Sequence, residues 1–375
     1  MGPVKDGRFT VVHALRGLAA LWVVLFHVSE AGHIANLRAD LPTWVDPIFT
    51  SGHLGVAIFF ALSGFVITHS IAGASITPGY LGRFALRRSI RLDPPYWASI
   101  VFVVAVGYIS AQVKGEAFAP PSFPQVLAHL FYLQTLLGYQ QINWVYWTLT
   151  YEIQFYLVLV LLIMAAQRLR ISPPLIVLLP FVATVGFWLG LVSLPVGLFV
   201  DLWHAFLAGV LAYWAKTSRQ ALHAFIGVCV LSVALSPHDF TIVSIATAIG
   251  LYVAFRTGYI FRGLDWAWIQ FLGTISYSLY LIHNPIVGGV SYLSARLIGS
   301  DLVTLVLSIA ASVAGAAVFW HLLERPSLAL AHRIRMKKSD RQSHSEVSGS
   351  GTAAPVAQNA IGELGNQPLD ERRGS

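Results

Sequence analysis

Arg16 and His27 stand inside one apolar stretch, TVVHALRGLAALWVVLFHVS, from Thr10 to Ser29. About 20 residues at roughly 1.5 Å each match a hydrocarbon core of about 30 Å, so the stretch reads as a membrane-spanning helix. An ionisable side chain there costs on the order of 2.5–3.5 kcal/mol on insertion scales, and such a group faces the protein interior and acts there. Arg16 and His27 are eleven residues apart, roughly 16 Å along the helix axis. A guanidinium holds anions and an imidazole moves protons near neutral pH, so the two read as the ends of one reaction path.

The chain that must position them is a membrane protein throughout. Hydrophobic residues make up 56% of the 375, and Asp, Glu, Lys and Arg 11%, against roughly 25% charged residues in a soluble domain. Ten apolar runs of helical length are predicted near 10–30, 53–71, 95–113, 145–166, 173–192, 199–215, 221–236, 240–256, 267–287 and 302–322. The fold class is therefore an all-α integral membrane protein of about ten transmembrane helices. Between the third and fourth runs, Val126 to Leu137 is apolar but too short to cross, and reads as interfacial or re-entrant. The lead MGPVKDGRF passes into a full-length span without a short apolar core and cleavage site, so no removable signal peptide is expected.

The net charge of +7 invites a nucleic-acid partner, but its distribution argues against one. With the N-terminus inside, all of the 24 lysines and arginines except Arg38, Lys114 and Arg296 fall on the inner side. That bias predicts both termini in the cytoplasm. The single Cys229 leaves no intrachain disulfide and no CxxC metal site, so no metal is expected. Residues 1–332 form the transmembrane domain, and 333–375 a polar tail expected to be disordered, its basic start Arg333 to Lys338 lying against anionic headgroups. No repeat of fixed period is visible, so the inverted-repeat signature of many transporters is not evident.

Topology turns scattered polar residues into depths. Glu152, in WVYWTLTYEIQFYL, falls roughly 10 Å below the outer surface, at a depth like that of His27, and the two make a plausible acid–base pair. In the ninth run Ser276 and Tyr277 sit near the middle and His283 towards the outside. The basic residues gather elsewhere. Arg83, Arg87, Arg88 and Arg91 lie on the inner loop before Pro94 and Pro95, which are expected to open the third span. Arg88 and Arg91, at i and i+3, share a face that suits phosphate. The positive-inside rule alone also accounts for an arginine-rich loop; Arg16, inside a span, needs a partner.

These stretches resemble the membrane acyltransferases of family 3, which modify sugars in bacterial envelopes. The resemblance covers the chain to about Pro326, through ALRGLAALWVVLFHV, GHLGVAIFFALSGFVI, RRSIRLDPPYW, YWTLTYEIQFY, FLAGVLAY, LGTISYSLYLIHNP and LLERP. It implies a multi-pass enzyme of the bacterial inner membrane that takes an acyl group, usually acetyl, from cytoplasmic acyl-CoA to a carbohydrate hydroxyl on the far side. Its essential intramembrane histidine falls on His27, its arginine in the same helix on Arg16, its RxxR pair on Arg88 and Arg91, and its span-four glutamate on Glu152. Asp93 departs from the aromatic or aliphatic residue that many relatives carry before the proline.

The resemblance agrees with the order of the residues. Coenzyme A is anionic at its nucleotide end and reactive at its thioester; Arg88, Arg91 and Arg16 followed by His27 supply that order. His27 is the expected base for the acceptor hydroxyl, and Glu152 would orient or stabilise its imidazole. Direct transfer is expected, since no Cys or Ser nucleophile shows matching support. Acyl-CoA is a co-substrate and no cofactor is bound permanently; the other partners are a carbohydrate acceptor and the bilayer.

The remaining polar residues keep two readings each. Glu152 could instead pair with an arginine. Ser276, Tyr277 and His283 either line the acceptor cavity or bond between helices. Trp144 and Trp147 suit an interfacial belt or a sugar-stacking platform. His13, His53, His69, His204 and His321 read as interfacial, and Glu324 and Pro326 as structural. No soluble module is expected after the last span, so the acceptor falls to the loops Glu30 to Ser51 and Gly115 to Asn143. The rival function is a transporter or flippase without acyl transfer, since intramembrane Arg, His and Glu also serve proton-coupled carriers. The cationic cluster separates the two, because a carrier for a neutral sugar has no use for it.

Overall fold

The computed structural model describes residues 8–334 and 336, so most of the predicted tail lies outside the described residues. Among the described residues there is helix and no strand. The chain runs through α1 (Thr10–Glu30), the short α2 (Ala35–Asp40) and α3 (Asp46–Thr50), α4 (Gly55–Ile71), α5 (Pro78–Lys114), α6 (Phe123–Leu130) and α7 (Trp147–Leu169). It continues through α8 (Pro173–Ile176), α9 (Leu179–Trp188), α10 (Trp203–Trp214), α11 (Arg219–Leu235) and α12 (Asp239–Thr257). The last are α13 (Ala267–Leu297), α14 (Asp301–Phe319), a π-helical turn Trp320–Glu324 and α15 (Arg325–His332).

A helix stands at each of the ten predicted runs, and six helical stretches are long and apolar enough to cross a membrane. The others depart from the simple pattern. The fifth run breaks between α8 and α9, where Pro180 sits in the first turn of α9. The sixth is the 12-residue α10, and the ninth is drawn out to 31 residues. The apolar piece after α5 keeps to one short helix, α6, closed by a Ser122–Gln125 capping box.

The third span corrects the expectation that Pro94 and Pro95 open it. α5 is one helix of 37 residues with both prolines inside, begun instead by Pro78 behind a Thr77 cap whose side chain accepts from the Tyr80 amide. Proline at the first turn lacks only an N–H that would have gone unused. The interior prolines forfeit backbone donors, a loss tolerated in membrane helices where neighbours supply polar contacts. Just before the prolines, side chains pin the helix from outside: Tyr277 Oη donates to the Leu92 carbonyl at 3.0 Å, Tyr132 Oη to Asp93 at 2.8 Å, and Ser89 to Asp93 as well. The arginines are thereby carried on a helix and not on a loop.

Side-chain pairs give the directions. α1 and α13 run parallel: Gln270 donates to the Thr10 carbonyl at 3.0 Å at one end, and His27 meets His283 at the other. α4 runs against α1, with Gly55 on Ala19 and Val23 and Phe65 on Phe9. α10 runs with α4, from Phe206 on Phe60 to Tyr213 on His69. α7 also runs with α4, while α5 opposes α7, with Arg88 on Tyr156 and Ser99 on Tyr146. α13 and α14 are antiparallel through Ser294 and Thr304.

Lipid tails are as apolar as leucine, so these helices associate by close packing and small residues. A Cβ on Gly64 would enter the Phe206 carbonyl, and one on Gly209 the Ala61 carbonyl, so α4 and α10 touch backbone to backbone. Rings of Phe60, Phe206 and Phe155 then stack at 4.1 and 4.2 Å across α4, α10 and α7. This stack sets α4 and α7 at a fixed relative height. Gly209→Ala is expected to destabilise the fold by about 1–3 kcal/mol, because the obstacle is backbone that cannot rotate away. A thermal unfolding scan in detergent reads this as a lowered midpoint; an unchanged midpoint would show that the crossing is looser.

Candidate functional site

Arginines from two helices turn towards one cavity of about 90 Å³ between α1, α4, α5, α7 and α13. Arg16 comes from α1, and Arg88 and Arg91 from one face of α5. Among the described residues no carboxylate lies within 4.0 Å of any of the three; the ion pair at that range is Arg38 with Asp46, on the short helices after α1. Arg88 is held by stacking instead, its guanidinium carbon 3.6 Å from the centre of the Tyr156 ring. Its Nε is buried without a hydrogen-bond partner. Stacking fixes the plane and leaves the edge donors free for a planar or phosphate anion.

Glu152 lines the same cavity and accepts a 2.7 Å hydrogen bond from Ser63 Oγ of α4. Ser63 Oγ also lies 3.4 Å from Tyr156 Oη. Ser276 and Tyr277 of α13 complete this wall, both bonded to backbone: Ser276 Oγ donates to Gly273 and Tyr277 Oη to Leu92. Behind it Glu324, 4% exposed, accepts from the Ser278 amide at 3.2 Å and from Ser278 Oγ at 2.6 Å. It lies within electrostatic reach of Arg16 and Arg91.

His27 and His283 form a second centre near the far end of α1. Their rings meet edge to face at 4.9 Å, with His27 Nδ1 3.3 Å from His283 Nε2. His27 Nδ1 also lies 2.8 Å from the Val23 carbonyl, and His283 Nδ1 2.9 Å from that of Tyr280. Carbonyls only accept, so each Nδ1 carries a proton and each Nε2 a lone pair. His27 Nε2, with no partner among the described residues, is the nitrogen able to take a proton. Tyr280 touches both centres: it lines the cavity, and its ring is 6.1 Å from that of His283.

Six of the nine residues singled out in the sequence thus meet at the cavity, namely Arg16, Arg88, Arg91, Glu152, Ser276 and Tyr277. His27 and His283 pair beside it. Glu152 has Ser63, not His27, as its hydrogen-bond partner, which corrects the expected orienting role: His283 occupies the position on His27 Nδ1. Trp147 stays outside, packed by its ring edge on Phe60 and Tyr151. His204 is buried, not interfacial, and contacts Thr241 Oγ1 at 3.2 Å.

Sequence reading missed Ser63, Tyr156, Tyr280 and the participation of Glu324. Ser63 offered one signal, a hydroxyl in the middle of an otherwise apolar run. A second cavity of about 340 Å³, between α5, α6 and α7, shares Arg88 and Tyr156 with the first.

The segment from α6 to α7 closes that side through His129, whose Nδ1 donates to the Gln125 carbonyl at 2.8 Å and whose Nε2 accepts from the Ile142 amide at 3.0 Å. The contact from the Ile142 amide requires the neutral ring, since a protonated Nε2 cannot accept. Burial holds this imidazole below the ordinary value of 6.5. The unfolded segment then binds its proton first on acidification, so the stabilisation is complete above about pH 6.5 and is lost as pH falls through the lower folded value. The protection of the Ile142 amide against hydrogen exchange, taken relative to the intrinsic base-catalysed rate at each pH, is expected to fall as pH drops below about 6.5. Protection that stays constant with pH would show that His129 does not hold the segment.

The family described as acyltransferase domain matches this chain over residues 10–321. Nodulation protein 10 of Rhizobium leguminosarum bv. viciae is 28% identical over 213 residues, covering 50% of this chain and 53% of the relative. Protein 2 in the picA locus of Rhizobium radiobacter is 34% identical over 103 residues, covering 26% of this chain and 45% of the relative. The chain spans about half the length of these curated relatives. No solved structure matches it.

Proposed function

Because the chain belongs to the acyltransferase-domain family, we propose that it transfers an acyl group from cytoplasmic acyl-CoA to a hydroxyl of an extracytoplasmic carbohydrate. The acyl group is acetyl, and the acceptor an exopolysaccharide, O-antigen or oligosaccharide. The enzyme lies in the bacterial inner membrane, with ten spans and both termini in the cytoplasm. The observed directions support this count: α1, α5 and α13 run one way and α4, α7, α10 and α14 the other, as first, third and ninth spans must against second, fourth, sixth and tenth.

One observation carries the reading. Arg16, Arg88 and Arg91 stand at a cavity without a carboxylate within 4.0 Å among the described residues. Three guanidinium groups facing one cavity, with carboxylates near but none in contact, favour an anionic ligand, and acyl-CoA brings phosphates. His27 Nε2 is the base that removes the acceptor's proton as the hydroxyl attacks, with His283 holding the ring in its Nδ1–H tautomer. Trp147, outside the cavity, has the role of an acceptor contact only at the outer rim.

A strain lacking the gene should lose ester-linked acyl signals from the proton NMR spectrum of its surface carbohydrate and regain them with wild type. Purified protein should release free CoA from acetyl-CoA. Unchanged ester signals together with no CoA release would discard acyl transfer and favour the transporter.

A further inference from the structure

We propose that the cleft between α5, α6 and α7 holds the apolar tail of a membrane-anchored acceptor, so that the carbohydrate is taken from the bilayer and not from solution. The inference deepens the acyl-transfer reading above and rests on it for the identity of the tail's owner. The cleft, at about 340 Å³, is larger than the cavity of about 90 Å³ that the arginines line. A two-carbon acyl group has no need of a second space of that size. The cleft is walled by Phe84 and Trp97 of α5, Leu130 and Phe131 at the end of α6, and Ile153 and Leu157 of α7.

Three of these side chains, one from each wall, reach the outside of the bundle: Trp97, Phe131 and Leu157 are 41, 64 and 41% exposed. The stretches that carry α5 and α7 are among the six long and apolar enough to cross a membrane. Leu157 stands ten residues into α7, roughly 15 Å along its axis and near the middle of a core of about 30 Å. The surface at that height borders lipid tails, so the cleft fills from the bilayer. Polar groups inside it are already engaged. Asp93 accepts from Tyr132 Oη at 2.8 Å on one oxygen and from Ser89 on the other, and Trp97 Nε1 donates to the Leu130 carbonyl at 3.3 Å. A sugar needs free donors and acceptors to replace its water; a hydrocarbon chain needs none.

The roof of the cleft ties the tail to the acceptor. Leu130, Phe131 and Tyr132 belong to the segment Gly115 to Asn143, one of the two loops to which the sequence assigns the acceptor. The other end of that segment reaches the histidine pair. Asn143 Nδ2 donates to the Leu281 carbonyl at 3.2 Å and its Oδ1 accepts from Asn284 Nδ2 at 3.0 Å, so its two partners flank His283 in the chain. His129, next to Leu130, accepts from the Ile142 amide at 3.0 Å and draws the two ends of the stretch together. A tail held in the cleft therefore keeps its head group beside the segment that leads to His27 and His283. Anchoring of this kind raises the effective concentration of the acceptor without any new contact to the sugar.

The test uses the full chain in lipid nanodiscs and a dodecyl maltoside with a diazirine near the end of its alkyl chain. After illumination, peptide mass spectrometry should place the label within residues 84–97 or 153–157, and unlabelled dodecyl maltoside should compete where maltose does not. Ala85→Trp, which fills the cleft, and Leu157→Trp, at its rim, should each cut that labelling by about tenfold or more while remaining monodisperse and binding acetyl-CoA. In the deletion strain both variants should fail to restore the ester signals of the surface carbohydrate. Labelling spread evenly over the lipid-facing helices, as a diazirine phosphatidylcholine gives, would overturn the site. Labelling of the same peptides by a diazirine octanoyl-CoA and not by the maltoside would overturn the acceptor tail in favour of a donor chain. Full ester signals from both variants, with their labelling lost, would overturn the tail's part in the reaction. Wild type that takes the label but neither releases CoA nor restores ester signals would instead overturn the acyl-transfer reading, and with it the assignment of the tail to an acceptor.

Discussion

Replacing His27 by alanine is expected to lower acyl transfer by about 10²–10⁴-fold, the usual contribution of a positioned general base, and to leave acyl-CoA binding intact. The separation follows from the geometry. His27 pairs with His283 outside the cavity that the arginines line, so its loss removes proton transfer and not anion binding. Its Nδ1 is committed to the Val23 carbonyl and His283, which leaves Nε2 as the basic nitrogen. Equilibrium binding of acetyl-CoA beside initial rates of acceptor acylation reads the two quantities apart. Full acylation by the variant at normal membrane levels would remove His27 from the reaction.

The second large effect belongs to Arg88. Arg88→Ala should raise KM for acyl-CoA by about 10- to 100-fold, since a hydrogen bond to a charged group is worth about 1.5–3 kcal/mol and each 1.4 kcal/mol is about tenfold. Arg88→Lys should not restore it. A lysine ammonium cannot stack flat on the Tyr156 ring while presenting a fork of donors, and the stacking at 3.6 Å is what holds this guanidinium without a carboxylate. Rates measured across acyl-CoA concentrations, in variants checked for monodispersity, decide it. An unchanged KM would mean that the cluster serves topology alone.

The two substitutions test opposite ends of one path.

Much of this was legible in the sequence because membranes punish errors of type. An arginine or histidine inside an apolar run is too costly to be incidental, so Arg16 and His27 announced themselves by position. Helical runs follow from the absence of water to satisfy backbone groups, so their existence and rough bounds could be read directly. The i, i+3 spacing placed Arg88 and Arg91 on one face whether they stood on a loop or a helix.

Depth along the membrane normal could be counted only coarsely in residues, and azimuth not at all. Counting puts Glu152 level with His27, but its partner Ser63 lies between Gly55, which meets Ala19 and Val23, and Phe65, which meets Phe9, so Glu152 stands nearer Arg16 than His27, because height and rotation both depend on what each helix packs against. The Phe60, Phe206 and Phe155 stack and the Gly64–Gly209 crossing rotate α4 and α7 so that Glu152 meets Ser63. The parallel packing of α1 on α13 brings His283 to His27. Sequence by itself determined the class of molecule, its helical runs and the residues too expensive to be idle. Only the tertiary structure decided which of them are neighbours, since rotation about a helix axis is set by side-chain packing between segments far apart in the chain.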